Sequence, residues 1–176
     1  KVTVTSDSNI INNSSHVVLP GDGAFKYAME QIINKGLLST LKNLKKSKTV
    51  LLGICIGMQI LFDESCEFED TKGLGLISGK VVPIPNKSID GKKIAIPHMG
   101  WNNLLATTYF KNWNNTFLED NKINDEVYFI HSYMVVPSDN SNRVADCIYG
   151  GHKIAAVVRK DNITGCQFHP EKSGKL

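Results

Sequence analysis

Three side chains in this sequence have the types that acyl-transfer chemistry needs. Cys55 stands in "LLGICIGMQ", Leu51 to Gln59, with Gly53 and Gly57 on either side. His169 and Glu171 stand in "QFHPEKS", Gln167 to Ser173. A thiol attacks a carbonyl carbon once a base takes its proton. An imidazole serves as that base best when a carboxylate fixes its tautomer. Pro170 confines His169 to extended backbone, and in an extended segment Glu171, two residues on, points to the same side.

The cysteine turn carries its own chemistry. A strand that turns sharply into a helix crowds the turn residue, and neighbours without side chains relieve the crowding. Such a turn sets the sulfur at a helix N-terminus, which favours thiolate, and aims the Ile56 N–H at an oxyanion formed by attack. From the pentapeptide alone, two readings stand: a nucleophile on an elbow and a buried core cysteine. His169 alone reads first as a surface-loop histidine. Taken together, Cys55, His169 and Glu171 favour a nucleophile, its base and an orienting carboxylate.

The elements around these residues must bring them together. "HVVLP" reads as a strand stopped by the turn signal "PGDG". "AFKYAMEQIINKG" follows with Phe25, Ala28, Met29, Ile32 and Ile33 at helical spacing, and "LLSTLKNLKK" is a second helical piece. "TVLLGIC" is an apolar run without alternation, expected of a strand covered on both faces, and "IGMQILF" reads as a helix. This β-α-β-α order points to a mostly parallel sheet flanked by helices. Later segments, "GKVVPIP", "EVYFIHSYMVV", "RVADCIY", "KIAAVVR" and "ITGCQFH", are strand-like and broken by Pro and Gly. An antiparallel or mixed extension fits them. Cys55 and His169 both fall at C-terminal strand ends, where parallel sheets build their sites.

The bulk numbers exclude other classes. At 176 residues, 41% apolar and 21% charged, the chain has the makings of one globular domain. No apolar run approaches the ~20 residues of a membrane helix. The net charge of +3 comes without a basic face or aromatic platform, so no nucleic-acid partner is expected. Cys55, Cys66, Cys147 and Cys166 form no C-x-x-C pair, which argues for a reduced, cytoplasmic protein. His98, His131, His152 and His169 lack ligand spacing, so neither metal nor cofactor is expected.

"LGICIGMQ" and "QFHPEKS" resemble the class I (triad) glutamine amidotransferases. "LPGDGAF", "IPHMGWN" and "VYFIHSY" narrow the resemblance to the glutaminase subunits of imidazole glycerol phosphate synthase, and it runs over nearly the whole chain. The resemblance implies a flavodoxin-like α/β fold. It also implies that Cys55 attacks glutamine, His169 moves the proton and Glu171 orients His169. Ammonia then passes to a (β/α)₈-barrel cyclase, the heterodimer partner, in histidine biosynthesis.

Further roles carry over by position. The backbone of Gly21, Asp22, Gly23 and Ile56 matches the oxyanion region. Gln59, Glu67, Ser132 and Tyr133 match positions that hold substrate glutamine. His98, Met99, Trp101, Asn102, Tyr128 and Lys172 match the cyclase-facing surface or the ammonia route, although His98 and His131 by themselves read as structural. Gln59 also reads as an exposed helix residue, and Glu67 as part of a solvated acidic loop. Two alternatives remain: an amidotransferase serving a sugar-modifying synthetase, and a regulatory scaffold without catalysis.

The chain departs from the family's pattern in three places. The family has a strand and helix before the region that starts here and a helix after "HPEKS", so the expectation is one domain, 1–176, without them. Asp22 stands where an apolar residue is usual, and its carboxylate is expected to point away from the oxyanion. Cys66 replaces a polar residue.

Overall fold

The computed structural model describes residues 2–174. A short helix, α1 (Ser8–Asn12), leads into β1 (His16–Gly21), α2 (Phe25–Asn34), α3 (Leu38–Asn43) and β2 (Val50–Cys55). After α4 (Ile56–Gln59) come two-residue strands β3 (Glu64–Ser65) and β4 (Thr71–Lys72), then β5 (Gly79–Pro83) and β6 (His98–Asn103). Six more strands follow, β7 (Leu105–Ala106), β8 (Glu126–His131), β9 (Tyr133–Pro137), β10 (Arg143–Tyr149), β11 (His152–Lys160) and β12 (Ile163–Cys166), with 3₁₀ turns at Asn140–Asn142 and Pro170–Lys172.

The main sheet runs β1-β2-β12-β11-β10-β7. The pairs β1–β2 and β2–β12 are parallel, and β12–β11, β11–β10 and β10–β7 are antiparallel. This is an α/β sheet with an antiparallel extension. Pro20, which has no N–H to give, lies in β1 at the sheet's edge, the position a sheet tolerates. Two smaller sheets, β4-β3-β5-β9 and the ribbon β6-β8, complete the fold.

Apolar residues cover both faces of the main sheet. Phe25, Met29, Leu41, Leu44, Met58, Leu61 and Phe62 pack with Leu51, Val158 and Ile163 on one side. Trp113, Leu118, Phe129, Phe168, Val157 and Ala156 form the second cluster. Ala155 and Ala156 fall in the first and second cluster, as alternation along a strand requires, whereas Ala156 and Val157 share the second, where the register with β10 shifts. Among the described residues no helix is long and apolar enough to cross a membrane.

Three local expectations change. Ile33 shares the helical spacing of Phe25 and Met29 yet lies exposed, at the margin of the apolar stripe. The helix in "IGMQILF" ends after Gln59, because the carbonyls of Ile60, Leu61 and Phe62 accept from Leu74, Leu76 and Gly75 instead of from a next helical turn. "EVYFIHSYMVV" splits at Ser132: β8 pairs with β6, while β9 pairs with β5. Ser132 itself accepts from the Ile84 N–H.

Candidate active site

The elbow forms where β2 meets α4. Cys55 has φ 55 and ψ −113, a left-handed conformation that the surroundings must hold in place. Both glycines are required by close approach. A Cβ on Gly57 would run into the Leu19 carbonyl of β1, and one on Gly53 into the backbone of Gly57. Gly21, paired with Cys55 at the end of β1, is nearly as tight against Ile56 and Gly57. Glycine thus lets three backbone segments converge behind one thiol.

Parallel pairing of β12 with β2 sets Cys166 beside Ile54. The chain leaving β12 therefore reaches the same sheet end as Cys55. His169 is extended (φ −101, ψ 100) and Pro170–Lys172 forms a single 3₁₀ turn. Its Nδ1 donates to Glu171 Oε1 at 2.7 Å. Glu171 reaches back across the first turn of that helix, so the pair forms by a route other than two residues sharing one side of an extended segment. Burial pushes the Glu171 carboxyl up. The His169 hydrogen bond, a backbone N–H and the charges of His169 and Lys172 outweigh it and hold the carboxyl below its ordinary value. With Nδ1 donating, Nε2 of a neutral imidazole carries the lone pair, the tautomer that a base for a thiol requires.

The His169 segment is also tied to β8. The His169 N–H donates to the Tyr128 carbonyl at 3.0 Å. Ser173 Oγ accepts from the Tyr128 N–H at 3.1 Å and donates to the His169 carbonyl at 2.6 Å.

The thiol is protonated in this arrangement. Burial pushes the Cys55 pKa up to about 11, the charges of Asp22 and Glu171 add to the effect, and the Ile56 N–H and the Gln167 amide oppose it. The expected thiolate-favouring helix terminus is overridden. α4 has four residues, and desolvation of the anion exceeds what so short a helix returns. Sγ is 3.7 Å from Gln167 Nε2 and 4.0 Å from the Ile130 carbonyl. Among the described residues no hydrogen bond joins Sγ to His169.

Cys55 opens on a cleft of about 230 Å³ lined by Asp22, Gly23, Ile56, Gln59, Glu67 and Ser132, together with Tyr133, His131, Ile130 and Pro97. All the residues expected around a substrate except Gly21 are in this lining, and Gly21 lies just behind it. Glu67 is buried, not part of a solvated loop, and its Oε2 accepts from the Phe25 N–H at 2.7 Å. It thereby caps α2, whose N-cap residue, Ala24, offers no side-chain acceptor. Gln59 is buried too, and its Nε2 donates to the Tyr133 carbonyl at 3.2 Å and to Gln167 Oε1 at 3.1 Å.

Asp22 does not point away. It lines the cleft, its Oδ1 accepts from the Gly23 N–H at 2.8 Å, and its charge bears on Cys55. Of the residues assigned to a partner face, Met99 and Trp101 are more than half exposed. Trp101 meets Tyr128 edge-on, and Lys172 Nζ stands 5.9 Å from the Tyr128 ring centroid. Asn102 is partly buried. His98 is 2% exposed and lies beneath this face, stacked between Phe129 and Tyr149. Sequence reasoning assigned no role to Gln167, which the pairing of β12 with β2 brings to the thiol, or to Ile130, whose carbonyl reaches it from β8 in a separate sheet.

The sequence pattern of the family "Glutamine amidotransferase class-I" matches residues 2–176, and the chain belongs to that family. Its curated relatives are more particular. "Imidazole glycerol phosphate synthase subunit HisH 1" of Legionella pneumophila (strain Lens) is 42% identical over 175 residues, 99% of this chain and 82% of that protein. "Imidazole glycerol phosphate synthase subunit HisH" of Prochlorococcus marinus (strain MIT 9312) is 46% identical over 159 residues, 90% of this chain and 73% of that one. Among solved structures, "Crystal structure of glutamine amidotransferase" superimposes with TM-score 0.67 at 15% identity. It covers 95% of this chain and 76% of its own, a likeness of fold. The glutaminase domain of Trypanosoma brucei CTPS with bound acivicin has TM-score 0.58 at 12% identity, over 93% of this chain and 66% of that one.

Proposed function

We propose that this chain is the glutaminase subunit of an imidazole glycerol phosphate synthase and that Cys55, His169 and Glu171 form its catalytic triad. The observation that carries the reading is the convergence at one sheet end of a glycine-packed cysteine elbow and an imidazole already oriented by a carboxylate. Glutamine enters the cleft with its side-chain amide at Cys55. His169 Nε2 takes the thiol proton as Sγ forms a bond to the amide carbon. The same proton leaves on ammonia when the C–N bond breaks. Water, deprotonated by His169, then cleaves the thioester and glutamate departs. The raised thiol makes the base essential, because little thiolate exists before substrate arrives.

Two backbone N–H groups serve the tetrahedral oxyanion, those of Ile56 and Gly23. The Gly23 N–H is engaged by Asp22 and becomes available when that side chain swings out. The second oxygen of Glu67 faces the substrate α-amino group, the Ser132–Tyr133 backbone its carboxylate, and the Gln59 acceptor oxygen completes the pocket. Met99, Trp101, Asn102, Tyr128 and Lys172 form the face that meets a (β/α)₈-barrel cyclase, to which ammonia passes. His98 supports that face from below.

Cys55→Ala tests the reading in the complex with the cyclase. Glutamine hydrolysis falls on the order of 10⁶-fold, while cyclase turnover with added ammonium salt persists. Unchanged glutamine hydrolysis would sink the triad assignment.

A further inference from the structure

His98 and His131 stand between the exposed face at Asn102 and the cleft. His98 Nδ1 is 2.9 Å from His131 Nε2, His131 Nδ1 is 2.8 Å from the Tyr133 carbonyl, and Asn102 Nδ2 is 3.3 Å from His98 Nε2. The carbonyl only accepts, so His131 Nδ1 carries hydrogen. The Nε2 of neutral His131 then accepts, which requires hydrogen on His98 Nδ1. His98 Nε2 in turn accepts, and Asn102 supplies the donor. The Asn102 amide has one orientation, because Nδ2 also donates to the Ile148 carbonyl at 2.8 Å and Oδ1 accepts from the Asn103 N–H at 2.8 Å.

The row continues past the histidines. The Tyr133 carbonyl takes its second hydrogen bond from Gln59 Nε2. Gln59 also donates to Gln167 Oε1, and Gln167 Nε2 faces Cys55 Sγ. One arrangement of hydrogens satisfies every member, from the partner face to the nucleophile.

We propose that His98 and His131 are positioning residues: a directional pair of neutral imidazoles that locks the Ser132–Tyr133 wall of the cleft for glutamine and ties its orientation to Asn102. The proposal deepens the glutaminase reading and rests on it for its kinetic arm. The geometry favours this role over mere filling of space. An apolar core needs no fixed tautomers, whereas here a change at Asn102 propagates through two rings to a carbonyl that borders the substrate.

The experiment has two arms. With ¹⁵N-labelled histidine in the free chain, NMR shows both rings protonated on Nδ1. In Asn102→Asp, whose carboxylate can only accept, His98 keeps its Nδ1 hydrogen for His131 and gains a second on Nε2, so the ring carries hydrogen on both nitrogens. An Nε2–H tautomer at either ring of the unaltered protein, or a His98 Nε2 still without hydrogen in Asn102→Asp, overturns the proposal. This arm does not depend on glutaminase activity.

The kinetic arm uses the complex with the cyclase. His131→Leu raises KM for glutamine about tenfold, the worth of one lost hydrogen bond, with kcat changed less. His131→Asn, which keeps an N–H near the place of Nδ1, recovers most of it. Equal behaviour of the two variants, or a loss confined to kcat, overturns the proposal. Failure of the glutaminase reading itself shows separately, as a Cys55→Ala complex that still hydrolyses glutamine.

Discussion

Two backbone segments meet at Cys55 and are held in opposite ways. Around the elbow, Gly53 and Gly57 leave no room for a single added carbon. Two residues past Gly21, the contacts vanish: Gly23, at φ +88, has open space where a Cβ would stand. Its N–H is held by the Asp22 carboxylate alone. The proposed nucleophile is thus fixed by close packing, while the loop proposed to supply an oxyanion donor is fixed by one local hydrogen bond. Adjustment on substrate or partner binding falls to the loop, because the elbow has nowhere to go.

Substitutions at the two glycines test that contrast most strongly. Gly57→Ala destabilises the chain by about 3 kcal/mol, because backbone atoms of β1 must move. Gly23→Ala costs about 1 kcal/mol, the strain of a side chain at positive φ. Denaturant unfolding reads both, and equal losses would erase the distinction between packed elbow and open loop.

The buried histidines on the far wall of the cleft give a smaller, pH-dependent effect. Burial lowers His98 to about 4 and His131 to about 3, and His131 also feels the charges of His98 and His169. Folded values below the unfolded 6.5 mean that their stabilisation is complete above that pH and is lost as pH falls through 4 and 3. Unfolding free energy drops by on the order of 3 kcal/mol for each ring between pH 7 and 4, and His131→Leu loses about half of this slope. Matching slopes in the two proteins would put the acid sensitivity elsewhere.

The loop side gives the smallest effect. Asp22→Asn removes a charge that opposes the thiolate and weakens the hold on Gly23 N–H. Iodoacetamide then inactivates Cys55 roughly threefold faster at neutral pH, the equivalent of about half a pKa unit. An unchanged rate would mean that solvent screens Asp22 from the sulfur.

What the sequence revealed divides along similar lines. The elbow was legible because its glycines, turn and cysteine are contiguous, and the His169–Glu171 pair because two residues separate them. Asp22 was visible as a departure, yet its direction depended on a side-chain rotamer that no pattern encodes. Glu67 was placed near substrate, but its cap on Phe25 joins residues 42 apart. Gln167 and the His98–His131 pair depend on pairings of β12 with β2 and of β6 with β8. Such non-local register leaves no trace in spacing. The charge state of Cys55 was misread because a helix start is visible in sequence, whereas burial is a property of the assembled fold. Cys66 lies at the surface, and nothing in the structure explains the choice of cysteine there.

The edge position of β1 has a consequence for how the protein behaves in solution. Among the described residues no strand pairs with its outer side, and Val18 there is 55% exposed. Pro20 blunts one end of that edge, but His16–Leu19 remains a row of unpaired peptide groups beside apolar side chains. A strand edge of this kind is a template for a further strand, so what covers β1 bears on how the protein behaves in solution. Val18→Lys, three residues before Gly21, sets a charge beside that row and makes it a poorer template.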